Sequence, residues 1–316
     1  MASALHIYTD PIFLEHDTGH HPENAGRLIA VEPLIKQWHS DPRCDFPGWE
    51  PAGTRLLELV HAPTYITALR GLAEQGGGRW DGDTVVSSRS FDAACMAAGA
   101  VSDAVDKVLH GTTRHALCLV RPPGHHALVD DAMGFCLFNN VAIGARRAIV
   151  DFKLDRVLIV DWDVHHGNGT QDIFWEDGQV GFFSSHRYPF WPGSGSALEV
   201  GAGAGQGMTR NLPITFGTSR SDYLNQFANQ LQDFARVVRP QLVLISAGFD
   251  SHHLDPIGSL ELESEDFGTL TDLVLDVART YASDRVVSVL EGGYHPPALR
   301  ESIDRHAARL LEPCHL

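Results

Sequence analysis

The sequence predicts one α/β domain in which a mainly parallel central sheet carries helices on both faces. Its 316 residues, 43% of them hydrophobic, suffice for one large core. From about residue 91, short and almost wholly apolar runs alternate with longer runs of helical spacing. This alternation is typical of strands buried on both faces and joined by helices. We find no internal repeat and no long linker, so we expect a single domain over residues 1–316.

The five predicted strands are short and nearly all apolar, and they span residues 116–121, 157–161, 180–184, 242–246 and 286–290. The five predicted helices follow a period near 3.6 and span residues 91–109, 140–151, 221–238, 264–282 and 297–311. Ser221 and Ser264 are the expected N-caps of their helices, because a serine hydroxyl can accept a free backbone N–H there.

Charge and cysteine content exclude several classes of protein. Lys and Arg number 24 against 40 Asp and Glu, a net charge of −16, which argues against nucleic-acid and anionic-membrane partners. No run of about 18 apolar residues and no signal-peptide pattern is present. The five cysteines are scattered and odd in number, with no C-x-x-C pair. We therefore expect a reduced, cytoplasmic protein, and homo-oligomerisation remains open.

Chemically reactive side chains follow the predicted strands where each strand ends. In chain order these residues are His125 and His126, then Asp161, Asp163 and His165, then Ser184 and Ser185, then Asp250, and finally Glu291 and Tyr294. The carboxyl ends of parallel strands meet at one edge of a sheet, where ligands bind. We expect these side chains to form one site.

Asp161-Trp-Asp163-Val-His165 is a D-x-D-x-H run. Residues two apart in an extended segment point to the same side, so Asp163 and His165 can bind one ion, with Asp161 supporting them. A catalytic zinc needs about three protein ligands, and Asp250 is the expected third. This donor set favours Zn²⁺, although Fe²⁺ and Mn²⁺ would also accept it. The alternative is a hydrogen-bonded acidic turn without metal.

Three further segments suit a hydrolytic site. Adjacent His125 and His126 offer a general base and an electrostatic partner, the alternative being two structural histidines. The Tyr294 hydroxyl can donate to an oxyanion, and Gly292 and Gly293 permit close approach of the backbone, the alternative being a simple turn. Phe135 is a candidate pocket wall. The aromatic loop around Trp191 suits a pocket rim or a packed loop equally well, and Cys136 is expected to be a small buried residue.

These motifs together resemble the zinc-dependent histone deacetylase family. RPPGHH, GFCLFNN, DWDVHHGNGTQ, AGFD, DPIG and EGGY occur in the family's order, and HPENAGR resembles its N-terminal motif. Asn168 is similar to the class II branch and its bacterial histone deacetylase-like amidohydrolases. The resemblance spans about residues 5–311. It implies an arginase/deacetylase fold and a deacetylase-like catalytic domain that hydrolyses amides with one Zn²⁺.

The resemblance also implies roles for individual residues. Asp163, His165 and Asp250 would bind zinc. The catalytic set would be His126 as general base and acid, His125 oriented by Asp161, Asn168 holding His126, and Tyr294 polarising the carbonyl. The substrate-binding set would be Gly134, Phe135, Trp191, Ile257, Gly292 and Gly293, around a narrow acyl-lysine tunnel. A structural K⁺ site would use Asp161, Asp163, His165, Ser184 and Ser185.

The substrate and two rival functions stay open. Polyamine-selective relatives place an acidic residue near the position of Ile257, so its apolar side chain favours acyl-lysine, whereas the acidic composition favours a cationic acetylpolyamine or another small amide. A two-metal ureohydrolase of arginase type would require a carboxylate just after Asp250, but the residue at position 252 is His252. A non-catalytic binding protein would not need His125, His126 and Tyr294 together.

Overall fold

The structure is a computed structural model that describes residues 5–312. The strands in this range are β1 (Leu5–Tyr8), β2 (Cys44–Asp45), β3 (Gly77–Arg79), β4 (Val85–Ser87), β5 (His115–Cys118), β6 (Val157–Asp161), β7 (Val180–Arg187), β8 (Thr209–Ile214), β9 (Leu242–Ala247) and β10 (Val286–Leu290). Eight of them form one sheet in the order β2-β1-β5-β10-β9-β6-β7-β8, and every neighbouring pair is parallel. Strands β3 and β4 form a separate antiparallel hairpin.

The helices in the same range are α1 (Gly26–Ile29), α2 (Glu32–Trp38), α3 (Thr54–Leu57), α4 (Pro63–Glu74), α5 (Ser90–Leu109), α6 (Asn140–Val150), α7 (Asn168–Ile173), α8 (Arg220–Val238), α9 (Ser264–Tyr281) and α10 (Pro296–Leu310). Helices α5 and α6 pack together on the sheet, and α8, α9 and α10 form a second layer. Every residue of β6, β9 and β10 is buried, so both faces of the sheet are covered. The predicted fold class is confirmed.

The strand register aligns the ends that carry the polar motifs. Asp161, the last residue of β6, pairs with Ser184 on β7 and with Ser246 on β9. Leu290, the last residue of β10, pairs with Ala247 on β9. Because all four strands run in the same direction, the segments that follow them leave the sheet side by side at one edge.

The five predicted helices are all present, but the two predicted N-caps are wrong. The N-cap of α8 is Ser219, whose hydroxyl accepts the Asp222 N–H at 3.1 Å. The N-cap of α9 is Glu263, which forms a reciprocal capping box with Asp266. The side chain that accepts the N–H of the third helical residue lies two residues before Ser221 in α8 and one residue before Ser264 in α9.

Sequence patterns did not indicate β1, β2, β8 or the hairpin, because these strands are short or mix polar with apolar residues. Strand β7 continues to Arg187 because its residues from Phe182 onward pair with β8. Within residues 5–312 no helix is long and apolar enough to cross a lipid bilayer. Four cysteines in this range are free thiols, and Cys314 lies outside the described residues.

Candidate active site

Asp163, His165 and Asp250 meet at the carboxyl edge of the sheet, as predicted. The Nδ1 atom of His165 lies 3.1 Å from Asp163 Oδ1 and 3.1 Å from Asp250 Oδ2. One potential ligand atom from each residue lies within 4.8 Å of the others. All three residues are buried, with relative exposures of 1%, 7% and 0%. Two strand ends therefore supply three ligands of a type that binds divalent metals.

Backbone amides hold the two carboxylates in place. Asp163 Oδ2 accepts the Gly292 N–H at 2.8 Å, and Asp250 Oδ1 accepts the Val164 N–H at 2.9 Å. A Cβ atom on Gly292 would lie 2.3 Å from Asp250 Oδ2 and 2.5 Å from Asp163 Oδ2. Only glycine fits at this position, because any side chain would displace the carboxylates. The structure thus places Gly292 against the ligand set, and its predicted substrate contact stays a prediction.

The donor set fits a divalent cation. Within residues 5–312, neither Asp163 nor Asp250 has a lysine or arginine at ion-pair distance; their near partners are imidazoles. Burial and the neighbouring Asp163 raise the pKa of Asp250 to about 7. Two buried carboxylates in one pocket need a positive charge between them, and oxygen and imidazole nitrogen donors suit zinc.

The adjacent histidines are each oriented by one acceptor. His125 Nδ1 donates to Asp161 Oδ2 at 2.9 Å, and His126 Nδ1 donates to Asn168 Oδ1 at 2.7 Å. The Asn168 amide is oriented in turn, because its Nδ2 donates to Met133 Sδ at 3.2 Å. With Nδ1 carrying the hydrogen in both rings, the Nε2 atom of His126 is free to accept a proton.

The same surroundings push the two histidines toward opposite charge states. Burial disfavours the charged form of both rings. The carboxylates of Asp161 and Asp163 overcome this at His125 and raise its pKa to about 10. The pKa of His126 is held well below its usual 6.5 by burial and by the positive charges of His125 and His165. A cationic and a neutral imidazole therefore stand side by side.

Tyr294 borders the same space. Its backbone N–H donates to Asp255 Oδ2 at 2.6 Å, and its ring meets that of Phe135 edge-on at 5.8 Å between centroids. Within residues 5–312 its hydroxyl has no hydrogen-bond partner. Burial raises the pKa of this phenol well above 10, so the hydroxyl stays a hydrogen-bond donor.

Gly134, Phe135 and Trp191 lie close to the catalytic candidates His126 and Tyr294, and their substrate-binding role stays a prediction. A Cβ atom on Gly134, where φ is +57°, would lie 2.5 Å from His126 Cδ2 and 2.5 Å from Trp191 Cη2. The Trp191 ring lies 4.7 Å from the His126 ring between centroids and is 41% exposed. The loop around Trp191 thus lies next to His126 and is partly exposed, and the choice between a pocket rim and a packed loop stays a prediction. Ile257 is half-buried, and its N–H bonds the same Asp255 carboxylate that holds Tyr294.

A buried network behind the site joins Glu291, which the sequence placed at a strand end without a specific role, to Arg27, which it assigned none. Arg27 donates to Gly293 O at 2.7 Å and also to Glu291 O. Glu291 Oε2 accepts the N–H groups of Gly124 and His125 at 2.7 and 3.2 Å. These contacts tie the EGGY segment to the loop of the paired histidines. The sequence signal that could have pointed to these contacts is that Arg27 lies in the HPENAGR motif and Glu291 in the EGGY motif.

Two other predictions concern residues next to the site. The Ser184 hydroxyl contacts His186 Nδ1 at 2.9 Å and the Ser185 hydroxyl contacts Tyr223 at 2.8 Å, and the potassium site stays a prediction. His252 lies with His253 and Glu263 in a separate cluster rather than with the Asp163 ligands. Its Nδ1 accepts the Leu254 N–H at 3.1 Å. The structure therefore gives the ligand set no additional donor from position 252.

Fold and site together define a metal-dependent hydrolase architecture, and residues 21–310 match the family model described as "Histone deacetylase domain". The chain belongs to the histone deacetylase family, whose members are zinc-dependent hydrolases of amide bonds.

Relatives and a solved structure agree with this assignment. An uncharacterized protein of Synechocystis sp. is 38% identical over 92% of this chain and 94% of its own length. Human polyamine deacetylase HDAC10 is 42% identical over 92% of this chain, which spans only 44% of that protein. The crystal structure of the HDA15 HD domain superposes with a TM-score of 0.93 at 33% identity, covering 99% of this chain and 90% of that one. The predicted family is confirmed.

Proposed function

We propose that this protein removes an acyl group, in the first place acetyl, from the side-chain amine of acyl-lysine. Asp163, His165 and Asp250 would hold one Zn²⁺ per chain. The observation that carries the proposal is the convergence of these three buried donors beside a neutral His126 that is free to accept a proton. When bound, zinc supplies Lewis acidity that polarises the substrate carbonyl and makes the attacking water more acidic.

His126 carries the protons in this mechanism. Its Nε2 accepts a proton from water as the water oxygen bonds to the acyl carbon. It then delivers that proton to the nitrogen as the C–N bond breaks, which leaves a free carboxylic acid and a free amine. Asn168 maintains the required tautomer throughout, because its Oδ1 accepts only from a protonated Nδ1.

Tyr294 and His125 stabilise the charge that develops on the acyl oxygen and around it. The Tyr294 hydroxyl donates to that oxygen, a contact of the kind worth about 3–4 kcal/mol in comparable sites. The imidazolium of His125, held by Asp161, balances negative charge next to His126. Gly134, Phe135 and Trp191 would line the path of the acyl-amine chain, as the family resemblance implies.

A second candidate substrate class is acetylated polyamines. The relative named polyamine deacetylase HDAC10 favours this class, as does the net charge of −16. Ile257 favours acyl-lysine, because it presents an apolar side chain where a cationic substrate would gain from a carboxylate. The proposal also includes a structural K⁺ site and a cytoplasmic location, and both remain predictions.

Metal analysis coupled to an activity screen tests the proposal. We expect one zinc per chain, with turnover of acetyl-lysine peptides exceeding that of acetylated polyamines. Asp250→Asn should lose both zinc and activity, whereas the matched Asp233→Asn, at a 62% exposed side chain, should retain both. Two metals per chain with urea release would instead support the ureohydrolase alternative. Bound zinc without turnover of any amide would support a binding protein.

A further inference from the structure

A cation, Arg187, is separated from the candidate metal ligand His165 by one aromatic ring, that of Phe190. The guanidinium carbon of Arg187 lies 4.3 Å from the centroid of the Phe190 ring and 4.4 Å from that of the Phe216 ring. Phe190 in turn stacks on His165, with centroids 5.3 Å apart and an interplanar angle of 18°. The four side chains form a stack that runs from a metal ligand outward to Phe216, which is 55% exposed.

Arg187 is also tied to the turn that carries Ile257. Its Nη1 donates to Gly258 O at 3.0 Å. A Cβ atom on Gly258 would lie 2.4 Å from Asp250 O, so this turn packs directly against the ligand set. The charge of Arg187 is therefore held next to the turn that carries Ile257, a predicted substrate-binding residue.

This cation has no anionic partner of its own. Within the described part of the chain, no carboxylate lies at ion-pair distance from Arg187, and its one hydrogen bond leaves other N–H donors free. The side chain is partly exposed, so an incoming ligand can reach it.

From this arrangement we infer that Arg187 is a specificity determinant, selecting acyl-lysine side chains that have a carboxylate in a flanking residue and disfavouring polycationic substrates. The inference rests on the proposed function and narrows its substrate class. An acidic neighbour gains an attractive contact with a guanidinium that lacks a partner, whereas a lysine neighbour or a second amine of a polyamine meets like charge. The aromatic stack holds the guanidinium in place, so little side-chain entropy is lost on binding.

The test compares zinc-loaded wild type with Arg187→Met, Arg187→Lys and the control Arg236→Met. Arg236 is an exposed arginine on α8 whose partner is Asp233. Substrates are acetyl-lysine peptides that differ only in one flanking residue, Asp, Asn or Lys, together with an N-acetylated polyamine. We expect kcat/KM of the wild type to favour Asp over Asn, and Asn over Lys, each by about twofold to fivefold, the range of a partly exposed ion pair.

Arg187→Met should make kcat/KM on the three peptides nearly equal, whereas Arg236→Met should keep the wild-type preference of Asp over Asn over Lys. Arg187→Lys should keep a weaker preference, and 1 M salt should reduce that of the wild type, because charges are then screened within about 3 Å. The last two measurements decide the question even if Arg187→Met does not fold. Equal turnover of the three peptides by the wild type, a preference that survives in Arg187→Met, or faster turnover of the polyamine than of the Asp peptide overturns the inference. Absence of turnover on every acetyl-lysine peptide, by contrast, refutes the proposed function itself.

Discussion

Replacing Glu23 by glutamine removes a carboxylate that is shared by two buried arginines. Glu23 accepts from Arg121 Nε at 2.5 Å and Nη2 at 2.8 Å, and from Arg27 Nη1 at 3.1 Å. Glu23 and Arg121 are fully buried, and Arg27 is 1% exposed. The variant therefore leaves two guanidinium groups in the interior without their counter-charge.

The expected loss of stability is large. Breaking a buried ion pair by removing one partner costs about 3–5 kcal/mol, against a total stability of about 5–15 kcal/mol for a domain. At about 2–4 °C per kcal/mol for larger domains, Glu23→Gln should lower Tm by about 6–20 °C. The matched variant Glu32→Gln, which only breaks a surface pair with Lys36 at 3.4 Å, should change Tm by about 2 °C or less.

The pH dependence gives a second readout. Burial opposes ionisation of Glu23, but Arg121 and the hydrogen bond from His16 hold its pKa well below the usual 4.5. Because the pKa of Glu23 is lower in the folded state, its carboxylate stabilises the fold fully above pH 4.5. This stabilisation is lost as the pH falls from 4.5 toward the folded-state pKa. The difference in unfolding free energy between wild type and Glu23→Gln should stay constant from pH 8 to about 5.5 and decrease below pH 4.5.

Thermal unfolding monitored by fluorescence measures the shift in Tm, and urea unfolding repeated between pH 8 and 4 measures how the difference in unfolding free energy depends on pH. A Tm within about 2 °C of wild type, or a gap that widens as pH falls, would refute the reasoning. Activity should fall with stability, because Arg27 also holds the carbonyls of Glu291 and Gly293, next to Tyr294.

Three further changes test the site and the core. Tyr294→Phe should lower kcat by about 10²–10³-fold with zinc content unchanged, measured by steady-state kinetics and metal analysis, since only an oxyanion donor is lost. Gly292→Ala should reduce bound zinc, measured by metal analysis of purified protein, because its Cβ would fall 2.3 Å from Asp250 Oδ2; full occupancy would contradict this. Burial lowers the pKa of His306 from 6.5 to about 3, and its two nitrogens contact the Thr271 and Ser288 hydroxyls. Its neutral form therefore stabilises the fold fully above pH 6.5, and between pH 7 and 4.5 urea titrations should show wild type losing about 2 kcal/mol relative to His306→Gln.

The site could be predicted from sequence because its residues follow strands whose pattern is local. A run of apolar residues identifies a buried strand, and parallel strands bring their carboxyl ends to one edge. Asp163, His165 and Asp250 follow from that rule without knowledge of any contact. The paired histidines and Tyr294 were recognised in the same way, and the family comparison supports the chemistry expected of such residues.

Contacts between distant segments were not predictable in this way. Arg27 meets the carbonyl of Gly293, 266 residues along the chain, and Arg121 meets Glu23 at a separation of 98 residues. No periodicity relates such positions, so a buried arginine in the sequence looks the same as an exposed one. Strand β8 was missed for the same reason, since its pairing with β7 rather than its composition makes it a strand.

The sequence by itself determined the layered α/β architecture, the convergence of Asp163, His165 and Asp250 as candidate metal-binding residues, and the paired imidazoles, since each depends on spacing along one strand end or on strand direction. Only the tertiary structure decided that a side chain at Gly292 would collide with Asp163 and Asp250, that Arg27 ties the EGGY segment in place, and that Phe190 and Phe216 enclose Arg187. Those outcomes depend on packing between loops from different parts of the chain, and packing is a property of three-dimensional proximity that local sequence patterns do not encode.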